Sequence, residues 1–120
     1  MQYGDDLILD DGTLLLCRLE NRASNGDLPK KVLVGVSTHD FGERVVGYSR
    51  QYSAKGVSEQ VDMLVRIWQD RTARIGMWAV IDSEQYRIQN VQHLYDKAGL
   101  KVTDLSLQRW EEFYELYSPT

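Results

Sequence analysis

The 120-residue sequence predicts a mainly β domain, a small curved antiparallel β-barrel or sandwich with a short C-terminal helix. Three observations point there. Turn residues recur at short intervals, and the side chains between them alternate with period two. The last aromatic cluster then changes to helical spacing. The length fits a single domain. It divides into an N-terminal hairpin and loop over residues 1–40, a core β-barrel over 41–109 and a short helix over 110–117.

The elements follow in order. Asp10-Asp11-Gly12 separates Leu7-Ile8-Leu9 from Thr13 to Cys17 and reads as a tight hairpin turn. Ser24-Asn25-Gly26-Asp27 with Pro29 is the clearest loop. In Lys31 to Ser37, alternation puts Val32, Val34 and Val36 on one face, and in Val45 to Tyr52 it aligns Val46, Tyr48, Arg50 and Tyr52. Val61 to Trp68 fits two patterns. Val61, Met63, Val65 and Ile67 alternate as in a strand, while Val61, Leu64, Val65 and Trp68 also match a helix. Short length and β-branched residues favour the strand.

Trp78 to Ile81, Tyr86 to Val91 and Val102 to Leu107 are rich in strand formers, with a turn at Lys97-Ala98-Gly99. Gly35, Gly42, Gly47 and Gly56 read as bulges or bends of a curved sheet. In the tail, Trp110, Phe113, Tyr114 and Tyr117 line one face of a helix of about two turns. Alone it is marginal, so that face docks on the domain's own open edge or on a neighbouring subunit.

Composition excludes several function classes. The longest apolar runs, Leu14–Cys17 and Trp78–Ile81, are far short of the ~20 residues of a membrane span. One cysteine, Cys17, forms no internal disulfide, which makes a cytosolic setting the default. Eighteen acidic residues against 14 basic ones argue against a grip on nucleic acid through general positive charge.

Catalytic and metal chemistry find no anchor either. His39 and His93 lie far apart in sequence, and no Cys/His cluster has zinc-ligand spacing. Asp5-Asp6 and Asp10-Asp11 lack the alternating ligands of a calcium loop. Neither a nucleophile elbow nor a phosphate-binding glycine loop occurs, and Cys17 lies in an apolar run that predicts an inert thiol. The expectation is a protein without catalytic residues, metal or cofactor.

Tyr48, Arg50 and Tyr52 leave one alternative open. Aromatic residues interleaved with arginine on one strand face suit a sheet that stacks single-stranded nucleic acid, as in an OB-fold. A half-buried packing row is the stronger account of them.

An ordered set of segments carries a resemblance. Phe41 to Tyr52 is followed by Ala54-Lys55-Gly56, Gln60 to Trp68, Gln85-Tyr86-Arg87-Ile88, Asn90 to His93 and Gly99 to Leu107. The most specific parts are Tyr86-Arg87-Ile88 ahead of Val91-Gln92 and the Gly99-Leu100 to Leu105-Ser106-Leu107 ending. This succession resembles the small head–tail joining, or head-closure, proteins of tailed bacteriophages and of prophages in Gram-positive bacteria. The similarity spans residues 41 to 115.

The resemblance implies a compact β-barrel that assembles as a ring in the virion, between portal or adaptor and tail. It implies a structural role with no catalytic residue to transfer, and passage of double-stranded DNA without sequence-specific binding. The location implied is the virion, and the host cytoplasm during assembly. A tail-completion or terminator ring is the neighbouring alternative. Candidate subunit or partner contacts are Tyr48, Arg50, Tyr52, Trp68, Arg71, Arg74, Trp110 and Phe113, since exposed aromatic residues and arginine carry much interface energy. The loop Ala23 to Lys30 and the stretch Arg71-Thr72-Ala73-Arg74 are the candidate docking loops.

Overall fold

The computed structural model describes residues 8–23, 26, 28–44 and 61–117. These form a mainly β structure of seven strands: β1 (Gly12–Asn21), β2 (Lys31–Arg44), β3 (Met63–Trp68), β4 (Trp78–Ile81), β5 (Glu84–Tyr95), β6 (Lys101–Arg109) and β7 (Glu115–Leu116). All belong to one sheet in the order β1-β4-β5-β6-β3-β2-β7. Because β1 also pairs with β2, the pairings among β1 to β6 run full circle. Those six pairings are antiparallel, and only β7 lies parallel to its neighbour β2.

The two longest apolar runs of the sequence explain each other. Leu15, Leu16 and Cys17 of β1 lie opposite Val80, Ala79 and Trp78 of β4. Leu14, Leu16, Ala79 and Ile81 enter the main core with Val65, Ile67, Ile88, Leu105 and Leu107. Leu15, Cys17, Trp78 and Val80 join a second cluster with Leu33, Trp110 and Tyr114. Alternation sends neighbouring side chains to opposite faces, so a run apolar at every position means both faces are covered.

The strand reading of 61–68 holds for Met63–Trp68, which pairs with β6 along its whole length. β4, the core of β5 and β6 also stand where their strand-forming residues predict them. In β2 the pattern differs from expectation. Leu16 pairs with Ser37 and Cys17 with Gly35, so Val36 is an extra residue in a bulge beside Gly35. The bulge shifts the phase: Val36 is exposed, whereas Val32 and Leu33 are both buried.

Turn chemistry is partly as predicted. Asp96 Oδ1 accepts from the amides of Ala98 and Leu100 at 2.9 and 2.8 Å, and Gly99 takes the left-handed φ of 83° between β5 and β6. The β4–β5 hairpin turns through two non-glycine residues in left-handed backbone, Asp82 and Ser83. At Asp10-Asp11-Gly12 no hairpin forms with Ile8 and Leu9. Instead the Asp11 amide donates to Phe41 O at 3.0 Å, and its carboxylate accepts the Glu43 amide at 2.7 Å. A Cβ on Gly42 would lie 2.0 Å from the Ile8 carbonyl oxygen, so this glycine serves close backbone approach.

The predicted C-terminal helix over 110–117 is absent from the described residues. Trp110 to Tyr117 instead runs back over the sheet and ends as β7 beside β2. The physical reason is a better set of partners. Gln85 accepts the Tyr114 amide at 3.0 Å and donates to its carbonyl at 2.7 Å, and Trp110 N donates to Gln85 O at 2.9 Å. Eight residues gain little from an isolated helix, and these tertiary bonds outweigh it. The strand expected over Val45 to Tyr52, with Gly47 and Gly56, lies outside the described residues.

Candidate functional site

Two surface regions collect the described candidate residues. The first is the end of β3 and the β3–β4 loop. Trp68 closes β3 opposite Val102 and is 51% exposed. Arg71 and Arg74 are exposed, while Ala73 between them enters the main core and anchors the loop. Arg74 turns its guanidinium back to the Arg71 carbonyl, which ties the two arginines through the main chain.

The second region is a cleft of about 850 Å³ whose lining includes Asp62, Glu84, Tyr86, Arg109, Trp110 and Phe113. Phe113 is 72% exposed there. Trp110 is half-buried, packing edge-on against Trp78 with centroids 5.3 Å apart, and Tyr114 does the same from another side at 5.3 Å. The tail's aromatic residues thus divide: Trp110 and Tyr114 pack on their own domain, while Phe113 and Tyr117 face outward. Glu84 and Arg109 form an exposed ion pair at 2.6 Å across the cleft. The two regions flank β3, whose six residues extend about 20 Å. Tyr48, Arg50 and Tyr52 lie outside the described residues, as does part of the Ala23–Lys30 loop.

Two polar arrangements escape sequence reasoning. Arg66 of β3 and Asp104 of β6 are direct register partners joined by two bonds, Nε to Oδ1 at 2.7 Å and Nη2 to Oδ2 at 3.0 Å. Both are buried, and the bond to Asp104 holds the Arg66 guanidinium above its ordinary pKa. The available signal was one charged residue of opposite sign within each of two strand-forming segments, Met63–Trp68 and Val102–Leu107.

The second is a polar knot joining β2, the β3–β4 loop, β5 and β6. His39 Nε2 meets Asp70 Oδ2 at 2.8 Å and Ser37 Oγ at 2.9 Å, and the Ser37 hydroxyl donates to the same carboxylate oxygen at 3.2 Å. Thr103 Oγ1 accepts the Asp70 amide at 3.1 Å and meets His93 Nδ1 at 2.8 Å. The residue types of a Ser-His-Asp triad are present, but the roles are not. Hydroxyl and carboxylate share one ring nitrogen, and the hydroxyl donates to the carboxylate, whereas a triad sets nucleophile and orienting carboxylate on opposite nitrogens of the histidine.

Among the described residues, no three His, Cys, Asp or Glu side chains converge as a metal-binding group. None of their helices is long and apolar enough to cross a membrane. No protein-family model and no curated protein matches the chain.

Proposed function

We propose that the chain is a structural component of a bacteriophage head–tail connector. In this reading its copies form a ring that joins or closes the portal end of the capsid and lets DNA pass to the tail. The observation that carries the reading is the arrangement of the resembling segments. Gln60 to Trp68 contributes β3, Gln85 to His93 lies within β5, and Gly99 to Leu107 supplies the turn and β6. These are consecutive neighbours in the sheet, β5-β6-β3, so segments scattered along the sequence form one continuous part of it.

The closed circle of pairings is read as a small barrel, which leaves few strand edges to aggregate before assembly. A ring subunit must offer two different, mutually complementary patches. The β3–β4 loop with Trp68, Arg71 and Arg74, and the cleft with Phe113, are the candidates for that pair. The partners are portal or adaptor protein, tail proteins and further copies of the chain, with no catalytic step. The net charge of −4 suits a lumen that repels DNA weakly and leaves it free to slide.

Capture from a lysate of assembling virions tests the reading. Tagged chain is expected to bring down portal-containing heads or tails, and recovery free of both overturns it. Tight duplex binding that falls steeply with salt would contradict the sliding lumen and favour a nucleic-acid-binding domain.

A further inference from the structure

The β3–β4 loop, residues 69–77, has no strand of its own, yet it is held at several points. Gln69 N donates to Lys101 O at 3.2 Å, Asp70 N to Thr103 Oγ1 at 3.1 Å and Gly76 N to Ile88 O at 3.0 Å. Asp70 is the hub. One carboxylate oxygen accepts the Thr72 amide at 2.9 Å and the Thr72 hydroxyl at 2.5 Å, which shapes the loop from within. The other oxygen bonds His39 and Ser37 of β2. Its amide reaches Thr103 of β6, whose hydroxyl in turn meets His93 of β5.

The hydroxyl of Thr103 fixes the chemistry of this chain. Its oxygen accepts from the Asp70 amide, which leaves its own hydrogen available to His93 Nδ1 in the tautomer that carries the ring proton on Nε2. That bond needs an unprotonated Nδ1. A protonated ring carries hydrogen on both nitrogens, so Nδ1 becomes a donor, and the Thr103 oxygen must accept from a cationic ring and from the Asp70 amide at once, which weakens the amide's bond.

We propose that Asp70, Thr103 and His93 form an acid-sensitive latch that pins the middle of the β3–β4 loop to β6 and β5 at neutral pH and loosens its Asp70 anchor when His93 takes a proton. The charges facing His93 support this. Burial, then Arg71 and Arg74 of the loop, hold its pKa below the ordinary 6.5, and Asp70 only partly offsets them. A cationic His93 joins two arginines on the segment it was helping to hold.

The sign follows from linkage. A histidine whose pKa is depressed by folding contributes stability that is full above pH 6.5 and is lost as pH falls through the folded value. Burial alone would raise the Asp70 carboxyl, but the bonds from Thr72 and His39 outweigh it and keep its pKa below 3.8. Asp70 therefore stays ionised across the histidine range. On the β2 side, His39 and Ser37 face the Asp70 carboxylate. Acid thus loosens the Asp70 amide from β6, while Gln69 on Lys101 and Gly76 on Ile88 keep the two ends of the loop in place.

Amide hydrogen exchange on the intact chain, corrected for the intrinsic rate at each pH, tests the latch. Protection of the Asp70 amide is expected to fall at least about tenfold between pH 7.5 and 5.0. His93→Gln, which retains an acceptor without a titrating charge, should abolish that change, while His39→Gln should leave it. Thr103→Val should expose the Asp70 amide already at pH 7.5, with strand amides of β5 and β6 reporting that the fold persists. Equal protection of Asp70 at the two pH values, or an unchanged pH response in His93→Gln, overturns the latch.

Discussion

Arg66 and Asp104 set two opposite charges on strands where the adjoining residues Val65, Ile67, Thr103 and Leu105 are all buried. Taking each ion out of water is costly, and the pair is tolerable because its geometry is bidentate and the charges compensate each other. Removing one partner leaves the other buried and uncompensated. Asp104→Ala is expected to destabilise the fold by about 3–5 kcal/mol, lowering the melting midpoint by about 10–20 °C in a calorimetric scan. Replacing both residues with apolar ones of similar volume should lose much less, because no buried charge is orphaned. Cys17 makes a second case at this scale. Burial pushes its thiol pKa up to about 11, so the reactive thiolate is scarce at neutral pH. A thiol-specific reagent at pH 7.5 should leave Cys17 unmodified in the native protein and label it fully once denaturant unfolds the chain. Rapid native labelling would contradict the buried position against Trp78 and Leu33.

At the scale of elements, the C-terminal strap depends on one side chain. Gln85 pairs with Tyr114 through both amide atoms, as a strand neighbour would, and this sets Trp110 and Tyr114 against Trp78. Gln85→Ala removes both bonds and leaves their buried backbone partners unmatched, at a cost of about 1–3 kcal/mol. Tryptophan emission should shift to the red as Trp110 gains water, while β-strand circular dichroism persists. The strap also shows what was legible in advance and what was not. Strand-forming residues located β4 at Trp78–Ile81, where a run apolar at every position reflects a strand covered on both faces. Residues 110, 113, 114 and 117 carried a helical spacing, but the sequence did not reveal that Gln85 would hold the chain extended. The β2 bulge at Val36 escaped for a related reason, because a bulge is defined by the facing strand and β1 supplies that register. The polar knot was equally hidden. Ser37, His39, Asp70, His93 and Thr103 come from four parts of the chain, and only strand order makes them neighbours. Their spacing along the sequence carries no chemistry.

At the scale of the whole molecule, the circle of pairings from β1 through β4, β5, β6, β3 and β2 back to β1 fixes where the surface features sit. The arginine-bearing loop follows β3, and the acidic, aromatic cleft includes Asp62 and Met63 at its start. One strand therefore separates two patches of unlike charge, the kind of asymmetry that head-to-tail assembly requires. In the proposed connector role, a net charge of −4 favours restraining the packaged genome by closing around it over gripping its phosphates. The most direct measurement is nuclease protection of packaged DNA. DNA-filled heads that carry a portal but lack this protein are mixed with the purified chain and then exposed to nuclease. The connector reading predicts that added protein associates with the heads and that their DNA becomes resistant to digestion as the concentration of the chain rises. DNA that stays equally sensitive, with the chain recovered unbound at every concentration, would contradict it.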